Sequence, residues 1–518
     1  MNSSDGRVYI IGAGPGDPGL ITARGLRLLA GADVVVYDRA VEPVLRWAHP
    51  EAERISAGAP AERDTAQDAI SMLLAEKARD GHTVARLKWG DPFVFDSGAK
   101  EALFLYEQGI AFEIVPGVPA AVGASAYAGI PITYPDAGDA LVLVRGAEDE
   151  TGRLPDVDWE ALARIDGTFV CFAGGRLVPL ILQRLLDQGM TPDSPVALIY
   201  HGTQPHQRTV TGTIAELCDA TSLDPTPESA LLIVGEVVGL REHLRWFDER
   251  PLFGRRIVVT RSPEQAGELA EQLEALGAQA LLAPTFRIAA PEDPEAMDRA
   301  AASVDDYQWL VFESASAVTR FLSALTRGPR DLRALGAVHV CAIGPSTADR
   351  LMAAGIRADV VSPEVGVESI AEAMASTAPL AGERVLVVRP DHLRSMIGED
   401  LERRGARVTD LIAYRTAPAS PDAPGAQDLY RRLLDGQIDA VTFTSPTALR
   451  RFAVLIGEEQ AADLLNTVAV AAIGPVTAAA AAELGVRSPI VPTTFTVEGL
   501  VQALVQHFDR QGHRTRES

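Results

Sequence analysis

Two groups of residues in this chain are spaced as if for chemistry. Near the start, Gly12, Gly14, Gly16 and Gly19 punctuate the run IIGAGPGDPG, which follows an apolar stretch and precedes the helical ITARGLRLLAGA. Asp17 lies inside that run, and Asp38 closes the next apolar stretch, VVVYD. In the second half, hydroxyl side chains recur in matching turns: Ser314 and Ser316 with Ser445 and Thr447, and Thr347 with Thr477. A glycine turn between strand and helix brings backbone amides to a ligand, and a dinucleotide loop is the nearest general case, with Asp38 about where a ribose-binding acid would stand. However, the third glycine of that fingerprint would fall at Asp17, which repels a pyrophosphate, and Pro15 and Pro18 lack amide donors. An acid-bearing glycine turn suits a positively charged ligand without phosphates. Each Ser or Thr of the second half is by type either a helix N-cap or a ligand contact, and the A-I-G-P-x-T turns aim helix N-termini at whatever they face.

Other chemistries are not signalled. Cys171, Cys218 and Cys341 lie far apart, without C-x-x-C or H-E-x-x-H, so neither a disulfide framework nor a zinc site is expected. The net charge of -23 argues against nucleic acid and anionic membrane as partners. It also repels a polycarboxylate at long range, so a cleft for one needs local cations; Arg261, Arg389 and Arg394, near strand ends, are candidates. The opening residues enter a strand without a basic leader, and no apolar run approaches about 18 residues, so a soluble cytoplasmic protein is expected.

The elements that must position these residues follow from pattern. With 518 residues and 47% hydrophobic content, the chain has room for three to four domains. Up to about Leu240, short β-branched runs (RVYIIG, ADVVVYD, TVARLKW, FEIVPG, ALVLVRG, TFVCFAG, PVALIYHG, ALLIVGEVV) alternate with helical stretches, which predicts parallel sheets with crossover helices. A polar stretch from Tyr134 to Trp159 is a candidate hinge, and Arg241 to Gly254 a candidate boundary. Beyond it the chain repeats itself. GRRIVVTRSPEQAGELAEQLEALGAQA returns as GERVLVVRPDHLRSMIGEDLERRGARV, WLVFESASAVTRF as AVTFTSPTALRRF, and AIGPSTADRLMAAG as AIGPVTAAAAAELG, with Ser314 and Ser445 131 positions apart (445 minus 314). Three blocks in one order imply two copies of one α/β domain, hence two lobes and a cleft. The extended segments LLAPTFRIAAP and DLIAYRTAP are expected to pair as a joint between them. A bilobal binding protein or sensor would show the same pattern.

Six ordered motifs, GAGPGDPGLIT, VVYDR, RLKWGDPFVF, FEIVPGVPAA, AYAGIPIT and PVALIYHGTQPHQRTVTGT, make Arg7 to about Phe247 resemble the uroporphyrinogen-III C-methyltransferases. That resemblance implies a two-subdomain fold with S-adenosylmethionine in the cleft. The matching cofactor positions are Pro15, Trp89, Gly90, Asp91, Val94, Pro119, Ala120, Ala173 and Gly202, and Asp38 matches the family's proton acceptor. The sequence departs from the family pattern where Trp89 replaces the first glycine of G-G-D-P, Asp96 and Ser97 replace glycine and arginine, Ala59 stands for a lysine, Thr133-Tyr134-Pro135 for T-H-R, and Ala173 for a methionine. Arg255 to about Phe508 resembles uroporphyrinogen-III synthase, which closes hydroxymethylbilane with inversion of its last ring. The implied residues are Tyr414 as hydrogen-bond donor to the departing hydroxyl and Thr347, Ser445 and Thr477 as substrate contacts.

The expected fold class is therefore α/β: a two-subdomain tetrapyrrole-methyltransferase fold over residues 1–247, then a bilobal synthase-like pair over 248–518. Lobe 1 is expected at about 252–285 and 418–508, and lobe 2 at about 292–410. The joint implication is a bifunctional enzyme of tetrapyrrole synthesis leading toward precorrin-2, or a synthase whose methyltransferase-like domain serves as scaffold or regulator. Small tetrapyrroles are the expected partners, no metal is expected, and a homodimer through the N-terminal half is implied by resemblance.

Overall fold

A computed structural model describes residues 6–49, 51–57, 63–146, 153–174, 176–218, 229–261, 263–289, 291–362, 367–391, 396–418 and 424–516. Ala59 and Arg394 lie outside the described residues. The chain divides into two compact units, one running through Arg255 and including Leu273–Gln279, the other built from Arg256–Gln272 and Ala280–His507.

The first unit opens with β1 (Arg7–Gly12), β2 (Val34–Tyr37), β3 (Glu53–Ser56), β4 (Thr83–Lys88) and β5 (Ala111–Val115). They form a sheet of order β3-β2-β4-β1-β5, with every pairing parallel. Val8, Ile10, Val36 and Val84 enter one core and Ile11, Val35, Ala85 and Leu87 another. Both faces are thus covered, which is why these strands read as unbroken apolar runs.

β6 (Ala140–Arg145), β7 (Gly167–Gly174), β8 (Pro195–Tyr200), β9 (Arg208–Thr213) and β10 (Ser229–Val234) form a second sheet, β6-β7-β10-β8-β9. Here only β6 and β7 pair in parallel, whereas β7–β10, β10–β8 and β8–β9 are antiparallel. The expectation of parallel pairing throughout is thereby corrected, for a physical reason. Cys171, Leu198 and Leu232 face one core and Val170, Ala197 and Ile233 the opposite one, so antiparallel strands carry the apolar runs usual for parallel ones. β6 also falls inside the stretch expected to be a hinge, so the chain crosses to the second sheet between β5 and β6.

The second unit carries β11 (Arg256–Val259), β12 (Gln279–Leu282), β13 (Phe286–Ala289), β14 (Trp309–Phe312), β15 (His339–Ile343), β16 (Val360–Ser362), β17 (Arg384–Pro390), β18 (Arg407–Pro418), β19 (Ala440–Phe443) and β20 (Ala469–Ala472). One lobe holds the sheet β12-β11-β19-β20, and the other β13-β18-β17-β14-β15-β16. The long strand β18 runs parallel to β17 up to Tyr414, then pairs antiparallel with β13 from Arg415 to Pro418, so the two extended segments do join. The duplication persists in packing. Phe312 meets Phe321 edge to face at 5.7 Å, and Phe443 meets Phe452 in the same way at 5.3 Å.

Candidate active sites

In a parallel sheet the loops leaving the C-terminal ends of neighbouring strands converge, and β4, β1 and β5 are neighbours. The loops after β1 and β4 pair directly: Gly14 N donates to Gly90 O at 3.3 Å, and Gly90 N donates to Gly14 O at 2.8 Å. The loop after β5 packs onto both, since a Cβ on Gly12 would meet Gly117 Cα at 2.6 Å and Gly90 O at 2.7 Å. Asp91 fixes this junction by accepting from Phe93 N (2.8 Å) and Gly117 N (3.0 Å). Trp89 reaches across it, with its indole Nε1 donating to Pro15 O at 3.0 Å. Pro119 starts the helix Ala120–Tyr127, which has no side-chain cap, and Gly202 packs so closely on this helix that a Cβ would meet Ala124 Cβ at 2.2 Å.

Pro15, Trp89, Gly90, Asp91, Pro119 and Ala120 are therefore gathered at one place. Val94 follows half-buried in the loop after β4, and Ala173 is a buried core residue of β7. Asp17 has a structural part as well as its charge. Its carboxylate accepts from Gly19 N (2.7 Å) and from the Tyr127 hydroxyl (2.6 Å), and its own N–H donates to Thr203 Oγ1 (2.9 Å). Those bonds hold the glycine turn to the loop after β8. Among the described residues, the non-glycine residues with left-handed φ are Phe95 (54°), His201 (50°) and Thr203 (69°), all in these loops. Such strain persists where the surroundings over-determine the backbone, as functional sites do.

Asp38, at the end of β2, joins a buried charge network. Arg86 Nη2 donates to Asp38 Oδ1 at 2.6 Å, Trp89 N donates to Asp38 Oδ2 at 3.3 Å, and Arg86 Nε donates to both oxygens of Glu101 at 3.3 Å. Lys88 Nζ donates to Glu101 Oε1 (3.0 Å) and Ser97 Oγ (2.9 Å) and stands 3.1 Å from Asp96 Oδ1. Burial is the largest influence on Asp38 and pushes its carboxyl up, but Arg86 and Lys88 outweigh it and hold it below the usual carboxylate range. At Asp96 burial prevails and the carboxyl is raised. Sequence reasoning missed Arg86 and Lys88, although the signal was present: cations two apart in TVARLK share the inward face of Val84, where they require buried anions.

In the second unit, β14 and β15 are parallel neighbours, as are β19 and β20, so the turns following each pair open on one sheet edge. Thr347 and Thr477 are buried in the first turns of the helices Pro345–Ala353 and Pro475–Glu483. Ser314 and Ser445 are N-caps, accepting from Ala317 N and Ala448 N at 3.1 Å each. Tyr414 is buried in the core of its lobe, and its hydroxyl lies 3.2 Å from Ser314 Oγ. Arg389, a candidate for holding substrate carboxylates, instead donates to both oxygens of Asp410, at 2.9 and 2.7 Å. The structure thus brings Ser314 to Tyr414, places Thr347 one strand away, and sets Ser445 and Thr477 at equivalent positions in the other lobe.

A glycine-loop cleft over a parallel sheet, joined in one chain to a bilobal pair of duplicated α/β lobes, defines a two-part α/β enzyme. Residues 7–218 match the tetrapyrrole (corrin/porphyrin) methylases and residues 267–502 match uroporphyrinogen-III synthase HemD. Porphyrin biosynthesis protein HemD of Ruminiclostridium josui is 31% identical over 503 residues, 97% of this chain and 98% of that protein. Uroporphyrinogen-III C-methyltransferase of Bacillus subtilis (strain 168) is 36% identical over 339 residues, 65% of this chain and 69% of that protein. A crystal structure of uroporphyrin-III C-methyl transferase from Thermus thermophilus, complexed with S-adenyl homocysteine, covers 45% of this chain and 99% of its own at 37% identity, with a TM-score of 0.39. The chain belongs to the family that fuses a tetrapyrrole methylase to a uroporphyrinogen-III synthase.

Proposed function

We propose that the C-terminal half closes hydroxymethylbilane to uroporphyrinogen III and that the N-terminal half methylates this product with S-adenosylmethionine toward precorrin-2. The observation that carries the reading is the likeness over 97% of the chain to a porphyrin biosynthesis protein, spanning both halves at once. The N-terminal loops fit the methyl donor. A Cβ on Gly90 would meet nothing nearer than 3.8 Å, the helix at Ala120 begins without a side-chain cap, and Asp91 fixes the loop beside it. Pro15, Trp89, Gly90, Asp91, Val94, Pro119, Ala120, Ala173 and Gly202 are the residues that would hold it. S-adenosylmethionine supplies a methyl group on positively charged sulfur. Asp38, kept ionised by Arg86, is the acceptor for the proton that a substrate carbon sheds.

In the C-terminal half, Tyr414 donates a proton to the terminal hydroxyl of the bilane. The C–O bond breaks with its electron pair on oxygen, which leaves as water, and the pyrrole nitrogen's lone pair fills the deficit at carbon. The substituted carbon of the last ring attacks there first; its bond to the old bridging carbon then breaks, that bridging carbon bonds to the ring's unsubstituted α-carbon, and the hydrogen this carbon loses returns as a proton to the tyrosine oxygen. Thr347, Ser445 and Thr477, at helix N-termini, meet substrate carboxylates. The reading includes a cytoplasmic setting and a homodimer through the N-terminal half. Among the described residues no helix is long and apolar enough to cross a membrane, and no cluster of metal-ligating side chains occurs.

A second reading, a synthase with a methyltransferase-like domain as scaffold or regulator, is favoured by the indole of Trp89 bonded to Pro15 O between the two glycine loops. Transfer of labelled methyl from S-adenosylmethionine into uroporphyrinogen III separates the two. Incorporation supports the bifunctional enzyme, while formation of the type III isomer without label supports the second reading.

A further inference from the structure

Ser314 does more than its counterpart in the repeat. Both Ser314 (φ -161°) and Ser445 (φ -158°) cap a helix from extended backbone, so capping accounts for the hydroxyl in each lobe. In addition, Ser314 Oγ lies 3.2 Å from the hydroxyl of Tyr414, which comes from the joint strand β18. Farther along the helix that Ser314 caps, Ala315–Arg327, the Arg320 guanidinium sits 5.7 Å from the centre of the Tyr414 ring. One helix therefore holds the tyrosine at two points, the hydroxyl and the ring face.

Either oxygen can donate in the bond between the two hydroxyls. Ser314 Oγ accepts the Ala317 N–H at 3.1 Å and keeps its own O–H to donate as well as a second lone pair. We propose that Ser314 is a positioning residue for Tyr414: it donates its hydroxyl proton to the tyrosine oxygen, so that the tyrosine's own proton is directed at the group it serves. In such a chain each bond polarises the next, making the tyrosine a better donor. This inference rests on the proposed synthase activity and on Tyr414 as its proton donor.

The test uses the full chain with hydroxymethylbilane as substrate, reading kcat, KM and the ratio of type III to type I product. Glycine and aspartate both cap helices well, so S314G and S314D should fold, with circular dichroism and thermal unfolding as the check. Aspartate only accepts, so in S314D the tyrosine proton turns toward residue 314 and away from substrate. Both variants should lower kcat about tenfold at unchanged KM, the loss expected of one misdirected hydrogen bond, and S314T should recover most of it. S314G combined with Y414F should be no slower than Y414F alone, a coupling that capping by itself would not produce. Wild-type turnover in S314G or S314D, or additive losses in the double variant, would overturn the proposal. Failure of the wild-type chain to make the type III isomer would instead remove the synthase reading on which it rests.

Discussion

At the scale of single residues, the N-terminal half depends on charges that its sheet keeps from water. Arg86 is 2% exposed and pairs with Asp38 and Glu101, so removing it leaves Asp38 without its nearest cation and Glu101 with Lys88 alone. R86M is expected to destabilise this half by about 3 kcal/mol, read as a lower midpoint in thermal unfolding. The two acids titrate in opposite senses. Asp38 is lowered by folding, so its stabilisation is present above the unfolded value of about 3.9 and is lost as pH falls through the folded one. Asp96 is raised, so its contribution is present below about 3.9 and is lost as pH rises through its folded value. D96N should therefore leave the midpoint at pH 7 unchanged or higher, whereas D38N should lower it there and flatten its decline below about pH 4. Trp89 is a separate matter. If its indole narrows the donor cleft, W89G should bind S-adenosylhomocysteine at least about tenfold more tightly by calorimetry, and equal affinity would clear the indole of that role.

At the scale of elements, the glycine turn and the duplication were legible because both are written locally. Glycines with left-handed φ just beyond two neighbouring strands, Gly14 after β1 and Gly90 after β4, leave few alternatives, and the repeat carries its packing with it. Phe312 and Phe321 recur 131 residues later as Phe443 and Phe452, each pair edge to face in its own lobe. F321A and F452A should each cost about 3–5 kcal/mol, seen as early unfolding of the lobe concerned, and a neutral effect at either site would count against equivalent cores. Strand direction in the second sheet was not legible. When helices cover both faces, β8 and β10 need apolar residues at every position, and nothing local marks them as antiparallel. β3 and β9 were missed because half-exposed, polar edge strands lack the apolar alternation that announces a strand. The structural partners of Asp17 and Arg389 were not legible for another reason. Their partners, Tyr127 with Thr203 and Asp410, lie far away in sequence or on a neighbouring strand, and only folding brings them within reach.

At the scale of the whole molecule, the two halves make sense as neighbours on one route. On the proposed function, a chain of net charge -23 binds a polycarboxylate through local groups, and the helix N-termini at Thr347 and Thr477 are the groups proposed for it. The central claim is that one chain both shapes and methylates a cyclic tetrapyrrole. The most direct measurement is mass-resolved chromatography of the products formed when the purified full chain receives hydroxymethylbilane and methyl-deuterated S-adenosylmethionine. The account predicts a type III skeleton carrying deuterated methyl groups. A product pool of unlabelled type I isomer alone would contradict it.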